Sequence, residues 1–359
     1  MGHFFQYKGI SAMVVLAMLS ACGGGGGSDT NTNTNTNTNT NTNTNTNTGG
    51  GATSAASCSA LTSGTYRMVT PGGSVQTRTV SLDAANLTLN LGATSATLTP
   101  AANTNCRYTL STGEPLVVSS AGVGVFLQGA AGARQVGMIF PEQSLANTDL
   151  AGTWNVLGFL HNGGTTYQAT AFVQTVDATG KVTASASCSG LSACVANPAP
   201  DGQFTVNVAG GYDYTATGLP GTSRAFFFQA GGGGLGMVML TSAGVVFAAP
   251  QNVQALPGVG AVSSFWDVSF GTTGLTAADF SDSTTTVTAV DATTSSYTRV
   301  RSSDGRVDTI QLNRPRSGLR YRPAVTASNV PETFYLPLQG LGVTVYNFST
   351  SFGVSVGKP

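Results

Sequence analysis

Gly152-Thr153-Trp154-Asn155-Val156-Leu157 decides how the chain is read, because the same pattern is written again on either side of it. Upstream, Gly64-Thr65-Tyr66-Arg67-Met68-Val69 aligns with it. Downstream, Ser264-Phe265-Trp266-Asp267-Val268 is a looser third copy. After each copy an aspartate follows an aliphatic residue: Leu82-Asp83-Ala84-Ala85-Asn86, Val176-Asp177-Ala178-Thr179-Gly180 and Val290-Asp291-Ala292-Thr293-Thr294. Next come Tyr108, Tyr214 and Tyr321. Apolar runs follow, ending in Val125-Phe126-Leu127-Gln128-Gly129, Phe226-Phe227-Phe228-Gln229-Ala230 and Leu336-Pro337-Leu338-Gln339-Gly340. Landmarks in one order, at similar spacing, mark tandem structural units.

Each landmark has a local reason. An aspartate followed by small residues and Gly or Asn is hairpin chemistry, since Asp bonds its own backbone and Gly or Asn accepts a positive φ. Thr166–Gln174 and Lys181–Ser185 therefore read as two strands around the Asp177 turn. Gln203–Val208 alternates polar and apolar residues, as a half-buried strand does. Ala225-Phe226-Phe227-Phe228 and Met237-Val238-Met239-Leu240 are apolar on both faces, as in strands held between layers. No segment of the body keeps helical periodicity beyond about two turns.

The expected fold is all-β: three tandem β-meander repeats over 58–148, 149–258 and 259–359, each a small barrel or sandwich. Two blades per unit of a propeller-like assembly is the alternative. The Gly-Thr-Trp opening before a hairpin resembles the first strand of lipocalin- and avidin-like (calycin) barrels, whose tryptophan packs across the barrel floor. Tyr66 replaces the tryptophan in the first unit, and no second lipocalin motif is evident. The resemblance implies an architecture and, as one functional option, a carrier of a small apolar ligand.

Composition points the same way. Charged residues are 8% of the chain, against about 25% in ordinary soluble domains. Long surface helices lean on Glu, Lys and Arg, whereas the Gly, Thr, Ser, Ala and Val found instead favour strands and tight turns. A formal net charge of zero gives no bulk attraction to nucleic acid.

The N-terminus reads as delivery. Met1–Gly9 is short and polar with one positive charge, Lys8, and Ile10–Leu19 is apolar but too short to cross a bilayer, which takes roughly 20 apolar residues. Leu19-Ser20-Ala21-Cys22 ends it and resembles the lipobox of bacterial lipoproteins. That resemblance implies that residues 1–21 are removed as a signal peptide and that Cys22 carries the lipid. Two acyl chains hold a protein stably, and Gly23, where an inner-membrane retention signal would place aspartate, favours the outer membrane. Residues 22–57 follow: glycines, nine Asn-Thr pairs over Asn31–Thr48, and more small residues. With nothing large to bury, the segment is expected to be a disordered tether, spanning roughly 35 Å on average.

Once Cys22 is lipidated, Cys58, Cys106, Cys188 and Cys194 remain. An even number in an exported chain suggests two disulfides, Cys58–Cys106 and Cys188–Cys194, and neither histidine nor Cys-x-x-Cys spacing supports zinc.

Catalytic chemistry is sparse. The histidines are His3, in the signal, and His161, in an expected surface turn. The body's glutamates are Glu114, Glu142 and Glu332, so paired carboxylates for glycoside hydrolysis have little to draw on. Gly231–Gly234 lacks the phosphate-loop pattern. No catalytic, metal or cofactor site is expected. Arg299, Arg301, Arg306, Arg314, Arg316, Arg320 and Arg322 do cluster. Alternation places Arg299 with Arg301, and Arg320 with Arg322, on single strand faces. They are candidates for binding an envelope glycan, lipopolysaccharide phosphate or a protein partner, or else they pair with aspartates upstream. The functional expectation is a non-enzymatic structural or binding module lipid-anchored at the outer membrane, with the calycin-like carrier as alternative. A carrier requires an enclosed apolar pocket bordered by Trp154 or Trp266, a structural module requires filled cores, and a hydrolase requires two carboxylates in one cleft.

Overall fold

The computed structural model describes residues 58–359, apart from 71–75, 131–133, 142, 162–165, 190–192, 218–222, 230–233, 272–275, 278, 327–329 and 349–350. Cys22 and its tether lie outside the described residues. Within them the chain is all-β, with a single turn of 3-10 helix at Asn147–Leu150.

The first sheet is a meander of β1 (Gly64–Thr70), β2 (Gln76–Asp83), β3 (Thr88–Asn90), β4 (Ser95–Pro100), β5 (Arg107–Leu110), β6 (Pro115–Val118), β7 (Gly124–Gln128) and β8 (Arg134–Pro141). β8 returns to β1, with Val69 opposite Met138, and closes a barrel. The second sheet holds β9 (Gly152–Leu160), β10 (Gln168–Val176), β11 (Val182–Ser189), β12 (Ala193–Ala196), β13 (Gln203–Val206), β14 (Tyr212–Thr215), β15 (Ser223–Gln229), β16 (Leu235–Thr241) and β17 (Gly244–Pro250). Here β17 returns to β9, but β12 and β13 are not paired with each other. The third runs through β18 (Val262–Gly271), β20 (Ser281–Asp291), β21 (Ser296–Arg301), β22 (Val307–Leu312), β23 (Arg320–Arg322), β24 (Thr333–Leu338), β25 (Val343–Phe348) and β26 (Ser351–Gly357), and closes again as β26 meets β18. The short β19 (Thr276–Ala277) leaves that unit to pair with Arg134 and Gln135 of the first barrel.

The repeated aspartates do the same work three times, at the hairpin between second and third strands. Asp83 Oδ1 accepts the amides of Ala85 and Asn86, Asp177 Oδ1 those of Thr179 and Lys181, and Asp291 Oδ1 those of Thr293 and Thr294. Each tyrosine landmark lies on the fifth strand of its meander, counting β12 and β13 as one: Tyr108 on β5, Tyr214 on β14, Tyr321 on β23. The last landmark is out of step. Phe226–Gln229 and Leu336–Leu338 are on sixth strands, β15 and β24, whereas Val125–Gln128 is on the seventh, β7.

The strands with two apolar faces are explained by a core that the three units share. On the outer face of the middle unit, Phe228 stacks on Phe140 of the first barrel at 4.3 Å between ring centroids. Phe159 and Phe247 stack on Phe352 of the third at 5.8 and 5.7 Å. The first and third barrels meet through β19, through Ser119 Oγ donating to the Leu341 carbonyl at 2.7 Å, and through Arg107–Asp282 and Arg134–Asp279 ion pairs. Every unit therefore buries one outer face against the other two. Both disulfides form as expected, Cys58–Cys106 and Cys188–Cys194.

Candidate functional site: a cavity in the middle barrel

Trp154 points into its barrel, beside Phe227 in an edge contact at 5.4 Å, and its Nε1 donates to the Leu150 carbonyl. Tyr66 repeats the arrangement in the first unit, its hydroxyl donating to the Thr62 carbonyl four residues back. Trp266 does not. In the third unit Phe265 faces the barrel interior, and Trp266 faces outward into the shared core under Lys358, 5.4 Å from the ring centre. The alignment of Trp266 with Trp154 is thus corrected by one residue, and on a strand one residue reverses the face.

The reversal carries Asp267 into the third barrel, where the arginines also lie. Arg299, Arg301 and Arg322 are buried and Arg320 is half-buried. Asp308 receives Arg322 Nη1 at 3.2 Å and Arg306 Nη2 at 2.8 Å, with Arg299 Nη2 at 3.6 Å. Burial alone would raise the Asp308 pKa, but Arg299, Arg322 and Arg306 together hold it below its ordinary value. Arg301 is bound through two nitrogens to Asp304, whose carboxyl that contact pulls down to about 2. Arg320 donates to Gln254. The exposed anion-binding face expected of Arg299, Arg301, Arg320 and Arg322 is therefore not what these residues build. Asp304 and Asp308 lie downstream of Arg301, where β22 brings Asp308 across from Arg299, while Gln254 and Asp267 lie upstream. Asp267 sits near them, its carboxyl bonded by Ser355 Oγ, and burial pushes its pKa to about 7 against the Ser355 bond, Arg299, the Ser283 hydroxyl and Arg301. His161 is half-buried, with Nε2 3.1 Å from the Ser242 carbonyl and its ring edge-on to Tyr167. It is not the freely solvated turn histidine expected.

The middle barrel is different inside. A partly open cavity of about 230 Å³ is lined by Val156 and Leu160 of β9, Phe172 and Gln174 of β10, Met237, Met239 and Thr241 of β16, Val246 of β17, and Tyr214, Ala216 and Thr217. Trp154 does not line it, so the expected tryptophan border is corrected.

The sequence creates the opening through an interrupted fourth strand. β12 pairs with the upper part of β11, Ala186 opposite Ala196, and Asn197 N donates to Ser185 O at 2.8 Å. Then come Pro198-Ala199-Pro200. A proline has no N–H to give a ladder, and the chain bulges away from β11. It rejoins only at its lower end, where Val182 N donates to Gly202 O and Phe204 N to Gly180 O at 2.7 and 2.8 Å. The bulge is tied to the end of β14 by Thr217 N donating to Asp201 Oδ2 at 2.8 Å. Gly202 lets Tyr214 pack beneath it, since a Cβ there would lie 2.3 Å from the Tyr214 hydroxyl oxygen. Thr217 is exposed and Ala216 half-exposed, so the cavity opens at this end of the barrel. The alternation expected through Val208 stops at β13, and Val206 and Val208 are exposed.

Fold and cavity together define an all-β protein of three packed units, two closed barrels and a middle one that is left open and holds the cavity. No protein family and no curated protein matches the chain. A solved structure of a protein of unknown function, from the DUF3598 family of Nostoc punctiforme, is similar at 9% identity and a TM-score of 0.21, covering 60% of this chain and 99% of that one. A likeness so slight has no bearing on function.

Proposed function

We propose that the chain is a non-enzymatic binding module of the bacterial outer membrane, held there by a lipid on Cys22, whose middle barrel takes up a small apolar molecule. The observation that carries this is the 230 Å³ cavity walled by Val156, Leu160, Phe172, Met237, Met239 and Val246. Cavities of ~150 Å³ with such walls bind benzene, and sites for drug-sized ligands start at about 300 Å³. A single ring or a short alkyl chain is the matching size. Methionine side chains adapt to more than one shape, which suits a carrier of related molecules better than a receptor for one. The lipobox Leu19–Cys22, Gly23 and the Asn-Thr tether support the anchored setting.

Calorimetric titration of the full-length protein with octane-sized and benzene-sized ligands tests the reading. Micromolar to millimolar saturable binding is expected, and Met239→Trp, which fills the cavity, should abolish it. No binding by the wild-type protein, or undiminished binding by the variant, would refute it.

A further inference from the structure

One side chain in the cavity wall does not match the rest. Gln174 faces the interior of the middle unit by its position on β10, where it stands opposite Trp154 on one side and Ser185 on the other. It is 5% exposed and lines the cavity. Its backbone is used by the sheet, but its side-chain amide has no hydrogen bond to any described residue. Of the other polar groups in the wall, Thr241 and Thr217 are bonded within the protein, while the Tyr214 hydroxyl, like the Gln174 amide, has no hydrogen-bond partner among the described residues. Thr241 Oγ1 accepts the Ala243 amide, and the Thr217 amide is given to Asp201. A buried amide brings two N–H donors and one carbonyl acceptor, and leaving such a group without partners costs free energy that a plain aliphatic would not. The amide faces the partly open cavity, where water or a ligand group can meet it.

We infer that Gln174 is a specificity-determining residue: the ligand is uncharged, mostly apolar, and carries one group that both accepts and donates a hydrogen bond, a carboxamide, an undissociated carboxylic acid or an alcohol. This rests on the cavity reading above and adds the chemistry of the ligand's head. Among the described residues the wall contains no Lys, Arg or His to meet a carboxylate, and an unpaired charge in such a place is strongly disfavoured. Asp201, beside the mouth, is negative and held so by the Thr217 contacts, which further turns away anions. The alkyl or aryl remainder lies along Met237, Met239 and Val246, with the head turned to β10.

The test is titration of wild-type protein and Gln174→Leu with octane, 1-octanol, octanamide and octanoate at neutral pH, together with the Tm of each protein. Wild type should prefer octanamide and octanol to octane by about tenfold, the worth of a buried neutral hydrogen bond, and bind octanoate least. Gln174→Leu should reverse the order, losing octanamide by about tenfold while holding octane as well or better, and its Tm should rise or stay level because an unsatisfied amide has gone. An unchanged order in the variant overturns the inference while leaving the cavity reading intact. A lower Tm with all ligands weakened alike overturns it too, since Gln174 would then be a structural residue. If wild type binds none of the four, the cavity reading itself has failed.

Discussion

Trp154 and Leu150 are joined by a hydrogen bond of 2.9 Å from the indole Nε1 to a carbonyl four residues back, just after the 3-10 turn that leads into the barrel. The bond fixes the ring under the middle barrel, where Phe227 meets its face. Trp154→Phe should lose roughly 1 kcal/mol for the bond and more for the ring volume. Chemical denaturation of the variant against wild type measures it, and a loss below ~0.5 kcal/mol would show that the bond is not formed.

The interrupted fourth strand predicts a kinetic effect. Replacing Pro198 and Pro200 with threonine restores backbone donors where β11 has a free edge. Ligand association and dissociation should both slow, with affinity little changed. Stopped-flow rates that match wild type would remove the Asp201–Thr217 end of the barrel as the route of access.

The third barrel predicts a pH dependence. The Asp267 carboxyl is raised to about 7 in the folded protein, so its neutral form favours the fold. That contribution is complete below the ordinary carboxylate range and is lost as pH rises from about 4 towards 7. Asp304, pulled down to about 2 by Arg301, behaves oppositely, contributing above its unfolded value and losing that contribution as pH falls to 2. Asp267→Asn should therefore flatten the decline between pH 4 and 7, by on the order of a few kcal/mol, while leaving the acid limb in place. A wild-type stability that rises over that interval, or a variant with the same slope, would contradict this.

Asp308 stands among Arg299, Arg306 and Arg322. Asp308→Ala strands buried guanidinium groups and should cost about 3–5 kcal/mol. Arg306→Ala, which removes the most exposed of the three, should cost distinctly less. Equal losses from the two would mean that the cluster is solvated.

The two disulfides close loops of unequal length, with separations of 48 and 6 residues. Chain entropy gives about 4 kcal/mol for the first and about 2 for the second. Removing Cys58–Cys106 as a double alanine variant should lower Tm by more than removing Cys188–Cys194, read by calorimetry.

Much of this architecture was legible before any coordinates. Asp83, Asp177 and Asp291 announce hairpins because their chemistry is local, and the phenylalanine run at 226–228 announces burial on two sides because no polar residue interrupts it. What escaped depends on neighbours that only closure supplies. Trp266-Asp267-Val268 matches Trp154-Asn155-Val156 in residue type, yet closure of the third barrel puts Phe265 and not Trp266 on the inner face. The arginines between 299 and 322 look like a charged surface until Asp308 is placed beside them. Pro198 and Pro200 look like an ordinary loop, and become an opening only when the strands on both sides are known. A signal for the cavity is Gln174 itself, a polar residue between the inward Phe172 and Val176 of β10.

Phe352 lies on β26, the strand that completes the third barrel, and its ring is the surface against which Phe159, Phe247 and Phe270 are stacked. Two units thus depend for their mutual burial on a strand that follows all the others in sequence. The consequence concerns timing. A chain emerging N-terminus first can pair strands within its first two units and stack Phe228 on Phe140 early, but Phe159 and Phe247 of the middle unit stay uncovered until β26 has paired with β18.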